Sequence, residues 1–172
     1  MCAMRVGIFV DAANMFYAQR DNGWHIDWRK VKEHFSRGRE LVMAAYFTGS
    51  PYYEDVERLR RYRKYRTALT LIGYTVIDKE LKEVLDRDTG IRKRKANLDV
   101  EFTLHVLAAM PAYDVAVLLT GDGDFAPLAE HLCRSGKQVI CVARRESAGL
   151  ELINAATTFV DLNSIRQEIE KT

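Results

Sequence analysis

Short apolar runs alternate along this chain with stretches whose apolar positions recur every three or four residues. RVGIFV (5–10), LVMAAYFTG (41–49), TVIDKEL (75–81), VAVLLTG (115–121), QVICVA (138–143) and TTFVDL (157–162) are brief and rich in β-branched residues. Runs of this type predict strands, most of them buried on both faces. Between them, NMFYAQRDNG (14–23), IDWRKVKEHF (26–35), PYYEDVERLRRYRKYRTALTLIG (51–73), NLDVEFTLHVLAAM (97–110), DFAPLAEHLCRSG (124–136) and SAGLELINAA (147–156) predict helices. The punctuation agrees: Asn22-Gly23 closes the first, Asp27 opens the second, and Pro51 and Gly73 bracket the third. RDTGIRKRK (87–95) predicts a turn between charged, exposed segments, and SIRQEIEKT at the end is expected to fray. Strand–helix alternation with buried strands predicts an α/β three-layer sandwich, with a central, mainly parallel sheet flanked by helices.

Composition narrows the picture. A chain of 172 residues that is 48% hydrophobic and 29% charged predicts one globular domain, 1–172, with its core in about 4–162. No run approaches the ~18 apolar residues of a membrane span. The first residues lack the apolar length and small-residue cleavage site of a secretory signal, so a cytoplasmic protein is expected. Cys2, Cys133 and Cys141 are an odd set without metal-type spacing, which predicts reduced thiols, the last two in the core. The net charge of +2 conceals an asymmetry: residues 58–95 hold 13 Lys/Arg and 5 Asp/Glu, the remainder 13 and 19. That basic middle is either a solvated helix face or a surface for a polyanion.

The chemistry is sought where open parallel sheets bind ligands, beyond the carboxyl ends of their strands. Asp11 follows the first run directly, Asn14 comes three residues later, and Thr120, Asp122 and Asp124 stand at the end of VAVLLTG. On helix 97–110, Glu101 and His105 mark the predicted solvent face, which turns Asp99 inward beside Phe102 and Val106. Bland roles exist for each: Asp124 or Asp11 as a helix cap, Asn14 likewise, Asp122 as a turn residue. Converging acids repel one another unless a cation joins them, and oxygen-rich sets suit Mg²⁺ or Mn²⁺. Such an ion activates water and stabilises phosphoryl oxygen, the chemistry of phosphodiester cleavage. No zinc-type Cys/His spacing, GxGxxG or GxxxxGK[ST] is present.

VGIFVDAANMF, KANLDVEF and VAVLLTGDGDFAPLAEHLCRSGKQV together resemble the NYN-domain proteins of the LabA-like group, within the PIN-like nuclease superfamily. The likeness runs from about residue 4 to 162 and is strongest at TGDGDF. It implies a PIN-like fold and a metal-dependent endoribonuclease, with Asp11, Asp99 and Asp122 binding Mg²⁺ or Mn²⁺ directly or through water. Asp124 would complete the pocket, and Asn14 and Thr120 would orient ligands or the scissile phosphate. Lys95 stands at the family's lysine position. Two departures are Asn97-Leu98 where Gly-Val is common, and His105 where a further acid often stands.

RNA, single-stranded or structured, is the expected partner. RLRRYRKYR (58–66), with Arg61 and Lys64, interleaves cations with Tyr62 and Tyr65, and Arg92, Lys93, Arg94 and Lys95 lead into Asp99. A non-catalytic RNA-binding or regulatory protein is the alternative, and a small-molecule phosphohydrolase would use the same acids without the basic segments. A homodimer is compatible with the sequence, although no heptad or apolar stripe calls for one.

Overall fold

The computed structural model describes residues 3–85 and 92–172, and all of their side chains except those of 83–85 and 92–95. Eight strands form: β1 (Arg5–Asp11), β2 (Glu40–Ser50), β3 (Thr75–Glu80), β4 (Lys82–Leu85), β5 (Arg92–Lys95), β6 (Val115–Leu119), β7 (Gln138–Ala143) and β8 (Thr158–Asp161). Six of them make one all-parallel sheet in the order β3-β2-β1-β6-β7-β8, and β4 and β5 pair antiparallel as a separate ribbon. The helices are α1 (Ala12–Asn22), α2 (Trp28–Phe35), α3 (Val56–Leu71), α4 (Asp99–Ala108), α5 (Ala126–Arg134), α6 (Leu150–Ala155) and α7 (Arg166–Ile169).

Period-two alternation divides the core into two layers. Val6, Ile8 and Val10 of β1 and Val115, Val117 and Leu119 of β6 face α1, α2, α3 and α7. Phe9, Ala116 and Leu118 face the other way, against α4, α5 and α6. Helices therefore cover both faces of the sheet, the α/β sandwich of the PIN-like fold. No helix among the described residues is long and apolar enough to cross a membrane. Cys141 is fully buried, its thiol pushed up to about 12 by burial, and Cys133 is half-buried.

Four expectations are corrected. α3 starts at Val56, not beside Pro51, because Asp55 caps it by accepting from the Arg58 N–H (3.2 Å); Gly73, at φ 90°, then turns the chain back as the periodicity implies. Residues 92–95, expected as a flank of a turn, form a strand, with Lys95 paired to Lys82 in the ribbon; the expected turn at 87–90 lies outside the described residues. The C-terminus does not fray: Ile169 is fully buried in the α1/α2 layer, and the Lys171 N–H donates to the His25 carbonyl (2.8 Å). On α4 the solvent side belongs to Val100 and Leu104, while Glu101 is drawn to Lys79 of β3 and the His105 ring packs edge-on to Phe9 and Phe47. The polar-face argument failed there because both polar side chains found partners in the fold.

Candidate functional site

Strand order reverses between β1 and β6, since the chain winds outward from β1 through β2 to β3, and from β6 through β7 to β8. Loops leaving the two neighbouring strands part at such a point and open a crevice at their carboxyl ends. β1 ends there in Asp11 and β6 runs there into Thr120, Gly121 and Asp122.

A short chain of hydrogen bonds knits the two loops. The Thr120 hydroxyl, fully buried, donates to Asp11 Oδ2 (3.0 Å) and accepts from the Asp122 N–H (3.2 Å). The Asn14 N–H donates to Asp11 Oδ1 (3.1 Å), and Asn14 Oδ1 accepts from the Gly121 N–H (2.9 Å). Asp122 caps the next 3₁₀ turn, accepting from the Asp124 N–H (3.0 Å). Asp11 thus caps α1 with one oxygen while the other is held by Thr120 at the sheet edge. Asp124 is not the cap suggested as its bland role; Asp122 fills that place and leaves the Asp124 residue exposed.

Asp99 comes to this edge on the first turn of α4. Its N–H donates to the Asn97 side chain (3.0 Å), which starts the helix at Asp99 itself. Lys79, at the end of β3, fastens that turn by donating to the Asn97 carbonyl (3.1 Å) and to Glu101 Oε1 (2.6 Å). Sequence reasoning missed Lys79. The only available signal was its place at the carboxyl end of a predicted strand.

The charges act on one another. Burial raises the Asp11 carboxyl, the two hydrogen bonds pull it back, and Asp99 and Asp122 push it up again. Asp99 is raised by desolvation and then by Asp122, with Asp124 and Glu101 adding to the effect and the Asn97 side chain opposing it. Lys79 holds the Glu101 carboxyl below its ordinary value. Among the described residues, no three His, Cys, Asp or Glu side chains are gathered closely enough to hold a metal ion by themselves. The donor chemistry nevertheless suits Mg²⁺, which is commonly held by one or two carboxylates while water and substrate phosphate fill the remaining positions.

A second loop from beyond the predicted set supports the site. The Gly149 N–H donates to the Gly121 carbonyl (2.8 Å), and a Cβ at Gly149 would lie 2.7 Å from Gly123 Cα. The side chains of Arg92, Lys93, Arg94 and Lys95 lie outside the described residues, while their backbone forms β5 immediately before Asp99. Arg61 and Lys64 are exposed on α3. The hydroxyls of Tyr62 and Tyr65 are engaged within the fold: Tyr62 donates to Asp78 (2.6 Å), and Tyr65 accepts from Trp28 Nε1 (2.8 Å) and bonds to the Tyr46 hydroxyl (2.9 Å).

Residues 5–163 match the NYN domain family. The chain is 40% identical over 171 residues to the low amplitude and bright protein LabA of Synechococcus elongatus, covering 98% of this chain and 89% of that protein. A crystal structure of a protein of unknown function from Vibrio parahaemolyticus superposes with a TM-score of 0.76 at 23% identity, over 98% of this chain and 97% of the other.

Proposed function

This chain belongs to the NYN domain family and is LabA-like; from that premise, and because the family is generally one of nucleases, we propose that it is a metal-dependent endoribonuclease of the cytoplasm. The observation that carries the proposal is the joining of Asp11 and Asp122 through one buried hydroxyl, Thr120, at the strand-order reversal, with Asp99 close enough to raise Asp11 further. Asp11, Asp99 and Asp122 would hold a hydrated Mg²⁺ or Mn²⁺, at least one of them through water. When bound, that ion supplies an activated water and stabilises charge on the phosphate.

The chain's own residues do the rest. Thr120 fixes the rotamer of Asp11, and Asn14 locks the Gly121 loop so that Asp122 is aimed before substrate arrives. Asp124, exposed beside them, orients water or a ribose hydroxyl. Exposed Arg61 and Lys64, with the basic strand Arg92–Lys95, draw the RNA backbone to the acids.

Labelled RNA incubated with Mn²⁺ tests this. Cleavage should stop with EDTA and fall by about 100-fold or more in Asp122→Asn, the scale for losing one preorganised transition-state contact. Equal trace activity in wild type and variant would mean contamination and remove the enzyme reading.

One observation favours a second reading, a non-catalytic RNA-binding protein. Both Asp11 oxygens and one of Asp122 already accept structural hydrogen bonds. That reading expects salt-dependent RNA binding indifferent to Asp122→Asn, and thermal stabilisation by metal without turnover.

A further inference from the structure

A concavity away from the acids runs along one flank of α3. It has a volume of about 560 Å³ and is lined by Tyr53, Val56, Leu59, Arg60, Arg63 and Lys64. Its charge is of one sign. Arg58 and Arg66, on the same helix, pair with Asp55 and Asp78, whereas Arg60, Arg63 and Lys64 have no carboxylate partner among the described residues. Its rim is apolar and wet at the same time: Tyr53 is 74% exposed and Val56 72%. An exposed ring beside three cations that lack a carboxylate partner among the described residues offers a ligand a π-face and phosphate contacts together.

The groove begins at the same edge of the sheet as the acids. β2 ends at Ser50, and α3 begins after a short turn, so its first turns rise from the same edge of the sheet that presents Asp11. A second, smaller cleft formed by Pro51, Arg58, Arg61 and Leu81 lies across the start of α3. Leu81 in turn abuts the approach to Asp99: a Cβ at Gly49 would lie 2.6 Å from Leu81 and 3.3 Å from Ala96. Arg58 and Arg61 stand on the opposite face of α3 from Arg60, Arg63 and Lys64, on the side of the helix that meets Leu81, so cations surround the start of the helix.

Resting on the ribonuclease reading, we propose that this groove is a distal subsite for single-stranded RNA. One unpaired base stacks on Tyr53 and lies against Val56 and Leu59, and Arg60, Arg63 and Lys64 bind the flanking phosphates. A duplex keeps its bases stacked and cannot offer a face to Tyr53. The enzyme therefore prefers single strands long enough to span from the acids to α3.

The test is fluorescence anisotropy with labelled oligouridylates of about 4 to about 16 nucleotides, the span of known single-stranded sites, in EDTA to prevent cleavage. Wild-type affinity should rise with length. Tyr53→Ala should weaken the long oligomer by roughly 5- to 100-fold, the usual cost of one lost stack, with the shortest oligomer and duplex RNA unchanged. Tyr53→Phe, which keeps the π-face, should bind like wild type. Replacing Arg60, Arg63 and Lys64 by Ala should lower the salt slope by about 2, given ~0.7 per phosphate contact. All these positions lie on the surface, and an unchanged melting temperature controls for folding.

A Tyr53→Ala protein that binds every length like wild type overturns the proposal, as does an unaltered salt slope in the triple variant. So does displacement of the long oligomer by polyglutamate with equal potency in wild type and Tyr53→Ala, which would mark an acidic-protein surface. The two readings fail separately. Tyr53-dependent binding without cleavage keeps the subsite and removes the nuclease; Mn²⁺-dependent cleavage indifferent to Tyr53 does the reverse.

Discussion

Thr120 shows how much of the site rests on a single atom. Its hydroxyl is buried, gives its proton to Asp11 and accepts the Asp122 N–H, so it sets two predicted metal ligands together. Thr120→Val keeps the shape and removes both bonds. Stability should fall by about 1–3 kcal/mol, the cost of unsatisfied buried groups, as read by chemical denaturation. Apparent Mn²⁺ affinity in the cleavage assay should drop about 10- to 100-fold, as when outer partners of metal ligands are lost. A variant with unchanged Mn²⁺ dependence would reduce Thr120 to a folding residue. At the opposite edge of the sheet, Arg5 holds the Asp114 carboxyl at about 2, mainly through its side-chain hydrogen bonds, against 3.8 for the free group. A carboxyl lowered on folding stabilises the protein above its unfolded value, and that contribution is lost as pH falls through the folded one. Asp114→Asn should therefore melt lower than wild type at neutral pH, with the difference closing between about pH 4 and pH 2; a gap that persists in acid would contradict the assignment.

At the scale of the element, what was legible depended on whether the cause was local. Buried strands announce themselves by composition, and β1, β2, β6 and β7 stand within a residue or two of their predicted limits. Asp11 and Asp122 were legible because a parallel sheet dictates where its strands end. The ribbon β4–β5 was not, since its pairing involves mostly charged residues and shows no apolar period. The C-terminal turn was missed for a different reason: Ile169 is one apolar residue in a polar segment, and its partners lie far away in sequence. The same holds for the loop at Gly149, whose role comes from its contact with Gly123. Gly149→Ala brings a Cβ against backbone that cannot rotate away. The loop bearing Asp122 must shift, and because a 1 Å misplacement can cost about 100-fold, cleavage should fall sharply while far-UV circular dichroism stays native. Full activity in that variant would show that the loop is free to move without consequence.

Across the whole molecule, the sheet separates two jobs. Apolar layers on both faces fix β1 beside β6 and so fix the distance between their terminal acids, while the basic elements α3 and β5 lie toward the β2–β3 side of that point. On the proposed reading, RNA approaches from the cationic side towards the acidic edge. The acids repel one another in the empty protein, and a divalent ion relieves that repulsion, so metal should raise the melting temperature of the wild type. The most direct test of this account is Mn²⁺ binding followed by electron paramagnetic resonance in wild type and in Asp122→Asn, prepared side by side. The account predicts a saturable Mn²⁺ site in the wild type that is weakened at least ~10-fold in the variant. A wild type that leaves Mn²⁺ free in solution, or a variant that binds it equally well, would contradict it.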